Sequence, residues 1–150
     1  MKEPVQPDVV SDPTENEPAK DMSDHGKEHT EIKLQIMDAI PFVPATVDEE
    51  GPFLFVLDTG AAGESQRISP AVAQILKIDS DSPRDVTVAV GDAQLNALPV
   101  RVTDCSDIDQ RLKDHGYNGA QIDGYIGYSF LRAFNVTTNY KSQTFILECH

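Results

Sequence analysis

The residues with the most chemical promise close a short apolar run. Residues 53–57, Phe-Leu-Phe-Val-Leu, end on Asp58-Thr59-Gly60-Ala61. Five consecutive apolar residues, three of them aromatic or β-branched, read as a short buried strand. A carboxylate at the end of such a strand is costly to desolvate, so it needs partners or a purpose. Proton transfer is the chemistry a carboxylate offers there. The plain alternative is a turn, since Asp and Thr favour turn positions and Gly supplies positive φ. Other groups offer less. Asp24, His25, Glu28 and His29 are metal-ligand types, but Gly26 lies between the histidines and nothing in the spacing fixes a coordination geometry. Asn135-Val136-Thr137 matches a glycosylation acceptor, but it sits at a helix–strand junction and reads as coincidence.

The surrounding signals place Asp58 in a mostly β setting. Ile32, Leu34 and Ile36 alternate with Lys33, Gln35 and Met37, as in a half-buried strand. Residues 41–47 form a second strand, with Pro41 and Pro44 suited to an edge. Residues 48–51 turn, and 52–57 return as the strand that delivers Asp58. Ser69-Pro70 starts a helix, Ser as N-cap and Pro in the first position, with Ala71, Val72, Ile75 and Leu76 as its apolar face. Val86, Val88 and Val90 alternate, Gly91-Asp92 is a hairpin turn, and residues 95–102 pair back. Residues 108–115 form a short helix closed by Gly116. Residues 122–127 make a small strand ending in Gly127, and Ser129 caps a helix through Phe134. Asp123 is expected as a solvated or turn residue, and Tyr125 and Tyr128 as packing residues. Residues 136–140 and 144–148 form a terminal hairpin. The expected fold is mainly β, a closed or partly closed barrel with two or three short helices.

Asp58-Thr59-Gly60 followed by the small Ala61 resembles the active-site signature of aspartic proteases, in particular the retropepsin (retroviral-type) branch. Residues 123–136 are similar to the second signature of that family, an apolar-apolar-Gly strand end followed by a Phe-Leu helix and a Val-containing strand. Residues 41–47 with Gly51-Pro52 resemble its bacterial members. The likeness spans roughly residues 32–148, with the two signatures about 65 residues apart. It implies an aspartic endopeptidase acting on a peptide or protein substrate, without metal or cofactor. Such hydrolysis uses two Asp groups about 3 Å apart that share one proton. With one triplet in the chain, Asp58 must meet Asp58 of a second copy, so the resemblance implies a homodimer. Thr59 is then implied to hydrogen-bond across the two-fold axis, and Gly60 to allow the tight turn. Ala61, Ile126 and Gly127 are implied to support the loop, Gly127 by close backbone approach.

Two departures stand out. Residues 62–67 are about two residues longer than the usual link in the family, and residues 79–84 lack the glycines of a substrate-covering flap. The flap is then either the Val90-Gly91-Asp92-Ala93 hairpin or missing. The rival to the enzyme is a non-proteolytic retropepsin-fold module that dimerises or binds an extended peptide. A third reading is a small acidic β-domain whose triplet is only a turn.

Length and composition narrow the classes. At 150 residues the chain suits one domain, 31–150, preceded by an acidic, Pro-punctuated tail or linker, 1–30, expected to be disordered. A net charge of −13 argues against nucleic acid or an anionic membrane as partner. No apolar run approaches the ~20 residues needed to span a bilayer. The N-terminus lacks a signal-peptide pattern, so a cytoplasmic setting is expected. Cys105 and Cys149 form no CxxC pattern and are expected as thiols.

Overall fold

The computed structural model describes residues 20–21, 29–60 and 63–149. The main sheet is built around one hairpin, β4 (Ile40–Val47) and β5 (Glu50–Leu57), joined by Asp48 and Glu49. Both turn residues have positive φ, 52° and 69°, the conformation a two-residue turn needs to follow the strand twist. β3 (Gln35–Met37) pairs with β4 through a similar turn at Asp38 and Ala39.

Consecutive residues of a strand face opposite sides, and β4–β5 is covered on both. Val43, Phe55 and Leu57 enter the main core with Ile68, Val88, Leu98 and Phe130. Phe42 and Val56 face a second, smaller core with Met37, Cys105, Leu112 and Ile122. Cover on both faces explains why residues 53–57 are apolar throughout rather than alternating.

The remaining strands of the main sheet are β1 (Lys20–Asp21), β6 (Gln66–Ile68), β7 (Val86–Val90), β8 (Ala93–Leu98), β9 (Val100–Val102) and β10 (Gly124–Ile126). Their order is β1-β8-β7-β4-β5-β10-β6-β9. A second sheet joins β2 (His29–Lys33), β12 (Thr144–Cys149) and β11 (Phe134–Asn139), with β12 in the middle. Together they make a nearly closed barrel that carries, among the described residues, three helices, α1 (Pro70–Leu76), α2 (Ser106–Asp114) and α3 (Tyr128–Leu131). β1 and the first two residues of β2 fall within the stretch read as a tail.

Several elements differ from expectation. The strand expected over residues 31–37 divides at Leu34, so that one half pairs with β12 and the other with β4. Residues 95–102 do not pair back as one strand. Ala97 has φ 60° and Pro99 lacks a backbone donor, so β8 stops and β9 crosses to lie parallel with β6. In α1, Ser69 caps the helix as expected, accepting from the Val72 N–H. Its buried face is Val72, Ala73 and Leu76, however, while Ala71 and Ile75 face solvent. Helical rotation carries Ile75 off the stripe through residues 72 and 76. Ser129 is not a cap. Gly127 ends β10 in an extended conformation and starts α3 directly, which puts Ser129 inside the helix and buries it. That helix stops at Leu131, and Phe134 opens β11.

The Gly91-Asp92 turn is fastened to the second sheet. The Asp92 N–H donates to Thr30 Oγ1 at 3.1 Å, and a Cβ on Gly91 would lie 2.7 Å from that oxygen and 2.9 Å from Ile32 Cγ1. This hairpin is part of the barrel wall, not a loose flap. The polar loop before β7 is tied as well, by Arg84 to the Asp48 carboxylate and the Leu76 carbonyl. Among the described residues, no helix is long and apolar enough to cross a membrane.

Candidate active site

β5 delivers Asp58 to the rim of the barrel. The buried side chains of Phe55, Val56 and Leu57 fix the strand's course, and Asp58 itself is half-buried. Its N–H donates to the Ile126 carbonyl at 2.9 Å, and one carboxylate oxygen, Oδ1, accepts the Gly60 N–H at 3.1 Å. This local ring is an Asx-type turn, although Gly60 does not take the positive φ expected of it. Thr59 and Gly60 are exposed. Ala61 lies outside the described residues.

The second stretch of interest, residues 123–127, is brought beside the first. β10 lies parallel to β5, aligning Gly124 with Phe55, Tyr125 with Val56, and Ile126 with Leu57. On its other side β10 runs antiparallel to β6. Two segments distant in sequence therefore meet at Asp58 through main-chain bonds. Gly127 is buried next to Ile126, but its φ of −131° is open to any residue, so glycine is not required there for conformation.

Three residues of the site escaped sequence reading. Gly124 is the first. A Cβ there would lie 2.3 Å from the Arg67 carbonyl oxygen and 3.1 Å from Ile68 Cα, so β6 and β10 approach closely where only glycine fits. The Gly-Tyr-Ile-Gly pattern contains the signal at its first glycine. Asp123 is the second. Instead of facing water it is half-buried, accepting the Leu54 N–H at 2.8 Å on its carboxylate, while its own N–H donates to the Leu54 carbonyl. Burial raises its pKa, the Leu54 N–H pulls the other way, and the Asp109 carboxylate adds to the rise.

Gln66 is the third. It is wholly buried, with Nε2 donating to the carbonyls of Tyr125 at 2.7 Å and Arg67 at 3.1 Å. A buried glutamine between two polar neighbours, opening a three-residue strand, has no sequence signature. Tyr125 is half-buried against the second core, as expected of a packing residue. Burial raises its phenol pKa, with neighbouring Cys105 and Asp58 adding to the effect. Tyr128 is exposed, with the Arg132 guanidinium 5.8 Å from its ring centre.

For a metal the described residues offer no cluster of three or more His, Cys, Asp or Glu. Asp24, His25 and Glu28 lie outside the described residues, and His29 is exposed on β2. Cys105 and Cys149 both stand as thiols. What the arrangement offers chemically is one accessible carboxylate, held by backbone donors and acceptors at the end of a rigid strand.

No family model and no curated protein sequence matches this chain. Among solved structures, the chain is similar to the crystal structure of a retropepsin-like aspartic protease from Rickettsia conorii. The two are 21% identical, the match covers 85% of this chain and 97% of that one, and the TM-score is 0.54. The fold is retropepsin-like. Sequence identity at this level speaks for the fold alone. In this chain β5 and β10 lie in parallel, with the Asp58 turn beside the end of β10.

Proposed function

We propose that the chain is an aspartic endopeptidase that works as a homodimer, with Asp58 of each copy forming the reacting pair. The observation carrying this reading is the carboxylate of Asp58. It stands half-exposed at the end of a core strand of a retropepsin-like fold, with its amide held by Ile126 and one oxygen by Gly60. In a two-fold dimer the two carboxylates share one proton, because both cannot stay ionised so close together. The ionised member takes a proton from a bound water while the protonated member polarises the scissile carbonyl. Thr59 links the two loops across the axis, and Gly60 keeps the turn tight. Ala61, Ile126 and Gly127 support it.

A second reading keeps the fold and drops the chemistry: a dimerising or peptide-binding module. The fastened Gly91-Asp92 turn favours it, because a fixed hairpin cannot close over a substrate to exclude water. Both readings are tested by assaying wild type and Asp58→Asn on a mixed peptide library from about pH 4 to 7, at concentrations where sedimentation finds dimer. The substitution should lower cleavage by about 10³-fold or more while stability holds or rises, since two like charges no longer compete for one proton. A wild type that cuts nothing, or an Asn variant that cuts equally well, ends the peptidase reading. Peptide binding without cleavage in both forms favours the module.

A further inference from the structure

We infer that Gln66 is a positioning residue for Asp58, acting through β10. The inference rests on the reading of Asp58 as the reacting carboxylate. Asp58 is held from outside its own loop by the Ile126 carbonyl, so the placement of Ile126 sets the placement of Asp58. The ladder between β10 and β6 contains only two pairs, Gly124 with Ile68 and Tyr125 with Arg67, and it runs out just before Ile126. The next residue back on β6 is Gln66. Its backbone N–H is committed elsewhere, to the Pro99 carbonyl at 2.7 Å. Its side chain adds a donor of its own, and Nε2 reaches the Tyr125 carbonyl at 2.7 Å. The side-chain amide therefore reinforces β10 at the last rung of the ladder, one residue from the carbonyl that holds Asp58.

The amide is a poor device for stability alone. Nε2 faces two carbonyl oxygens, Tyr125 and Arg67, so turning the amide round would set oxygen against oxygen, and the orientation is fixed. Oε1 is then buried without a partner among the described residues. An unmade bond on a buried carbonyl offsets much of what the two made bonds contribute. An apolar side chain of similar length would fill the same volume without that cost. The amide provides something a methionine cannot, which is a directional hold on β10.

This separates position from stability in an experiment on the full chain. Gln66→Met conserves volume but takes a donor from the Tyr125 and Arg67 carbonyls, so the melting temperature should fall by no more than about 8 °C. By NMR hydrogen exchange, protection of the Asp58 amide should fall about 10-fold or more, while amides of β7 and β8 keep theirs. If the chain cleaves peptides, kcat should fall about 10-fold with KM unchanged. Gln66→Glu supplies a donor only when protonated, so its Asp58 protection factor should climb from about pH 7 to 5 while that of Gln66→Met stays flat. Unchanged Asp58 protection in Gln66→Met overturns the inference. A uniform loss across the barrel overturns it too, because Gln66 would then be an ordinary packing residue. If wild type cuts no peptide, the peptidase reading falls, and exchange at Asp58 alone decides whether Gln66 holds the loop.

Discussion

Gly124→Ala tests whether the approach of β6 to β10 builds the site. The added Cβ would sit 2.3 Å from the Arg67 carbonyl oxygen, a separation that must open to about 3.0 Å or more. The obstacle is main chain, with Ile68 Cα a second contact at 3.1 Å, so no flexible side chain can swing aside. β10 cannot simply retreat, because it is bonded to β5 on its other edge. Overpacking of this kind costs about 1–3 kcal/mol, and a clash with backbone belongs at the upper end. Alanine restricts the unfolded chain, which offsets about 0.4–1 kcal/mol. A net loss of about 2–2.6 kcal/mol lowers the melting temperature of a chain this size by about 4–10 °C.

Thermal unfolding followed by circular dichroism reads this directly. Gly116→Ala is the comparison. Its added Cβ meets nothing within 4 Å, leaving only the strain of φ +90°, and should cost about 1 kcal/mol. Any peptide cleavage should fall further in Gly124→Ala than stability alone explains, because β10 leads to the Ile126 carbonyl that holds Asp58. A melting temperature within about 1 °C of wild type would refute the claim that this contact requires glycine.

Two further outcomes follow from the charges and thiols. The folded state holds the Asp123 proton more firmly than the unfolded chain does, as burial raises its pKa above 3.8. The associated stability is therefore complete below that ordinary value and is lost as pH rises through the folded one. The melting temperature of Asp123→Asn relative to wild type should accordingly increase from about pH 4 to 7, since Asn keeps an acceptor for the Leu54 N–H without the charge. A difference that is constant or shrinks over that range would contradict the assignment. For the thiols, Cys105 is buried, and burial with neighbouring Asp109, Asp104 and Asp123 pushes its pKa up to about 11, whereas Cys149 is half-buried. A thiol reagent near pH 8 should modify Cys149 first and Cys105 only on unfolding; equal rates in the folded protein would argue against the second core as described.

Local order in the chain determined much of this protein. The apolar run ending on Asp58, the Ser69-Pro70 helix start, the valine alternation into Gly91-Asp92 and the terminal hairpin are short-range signals, and each formed close to its expected place. They depend on period, capping and turn chemistry within a few residues, which a sequence carries openly. The mainly β barrel follows from summing them. What tertiary structure decided is pairing. β10 lies between β5 and β6, β9 leaves β8 for β6, and the residues expected as one first strand serve two sheets, none of which is written in local periodicity.

The same reason hid the site's supports. Gly124 is required only because a carbonyl 57 positions earlier passes beside it, Asp123 is half-buried only because β5 lies alongside, and Gln66 finds its acceptor on a strand 59 positions away. A side chain's cost or use depends on what the fold puts next to it, and the partners of these three come from parts of the chain that meet only once the barrel has formed.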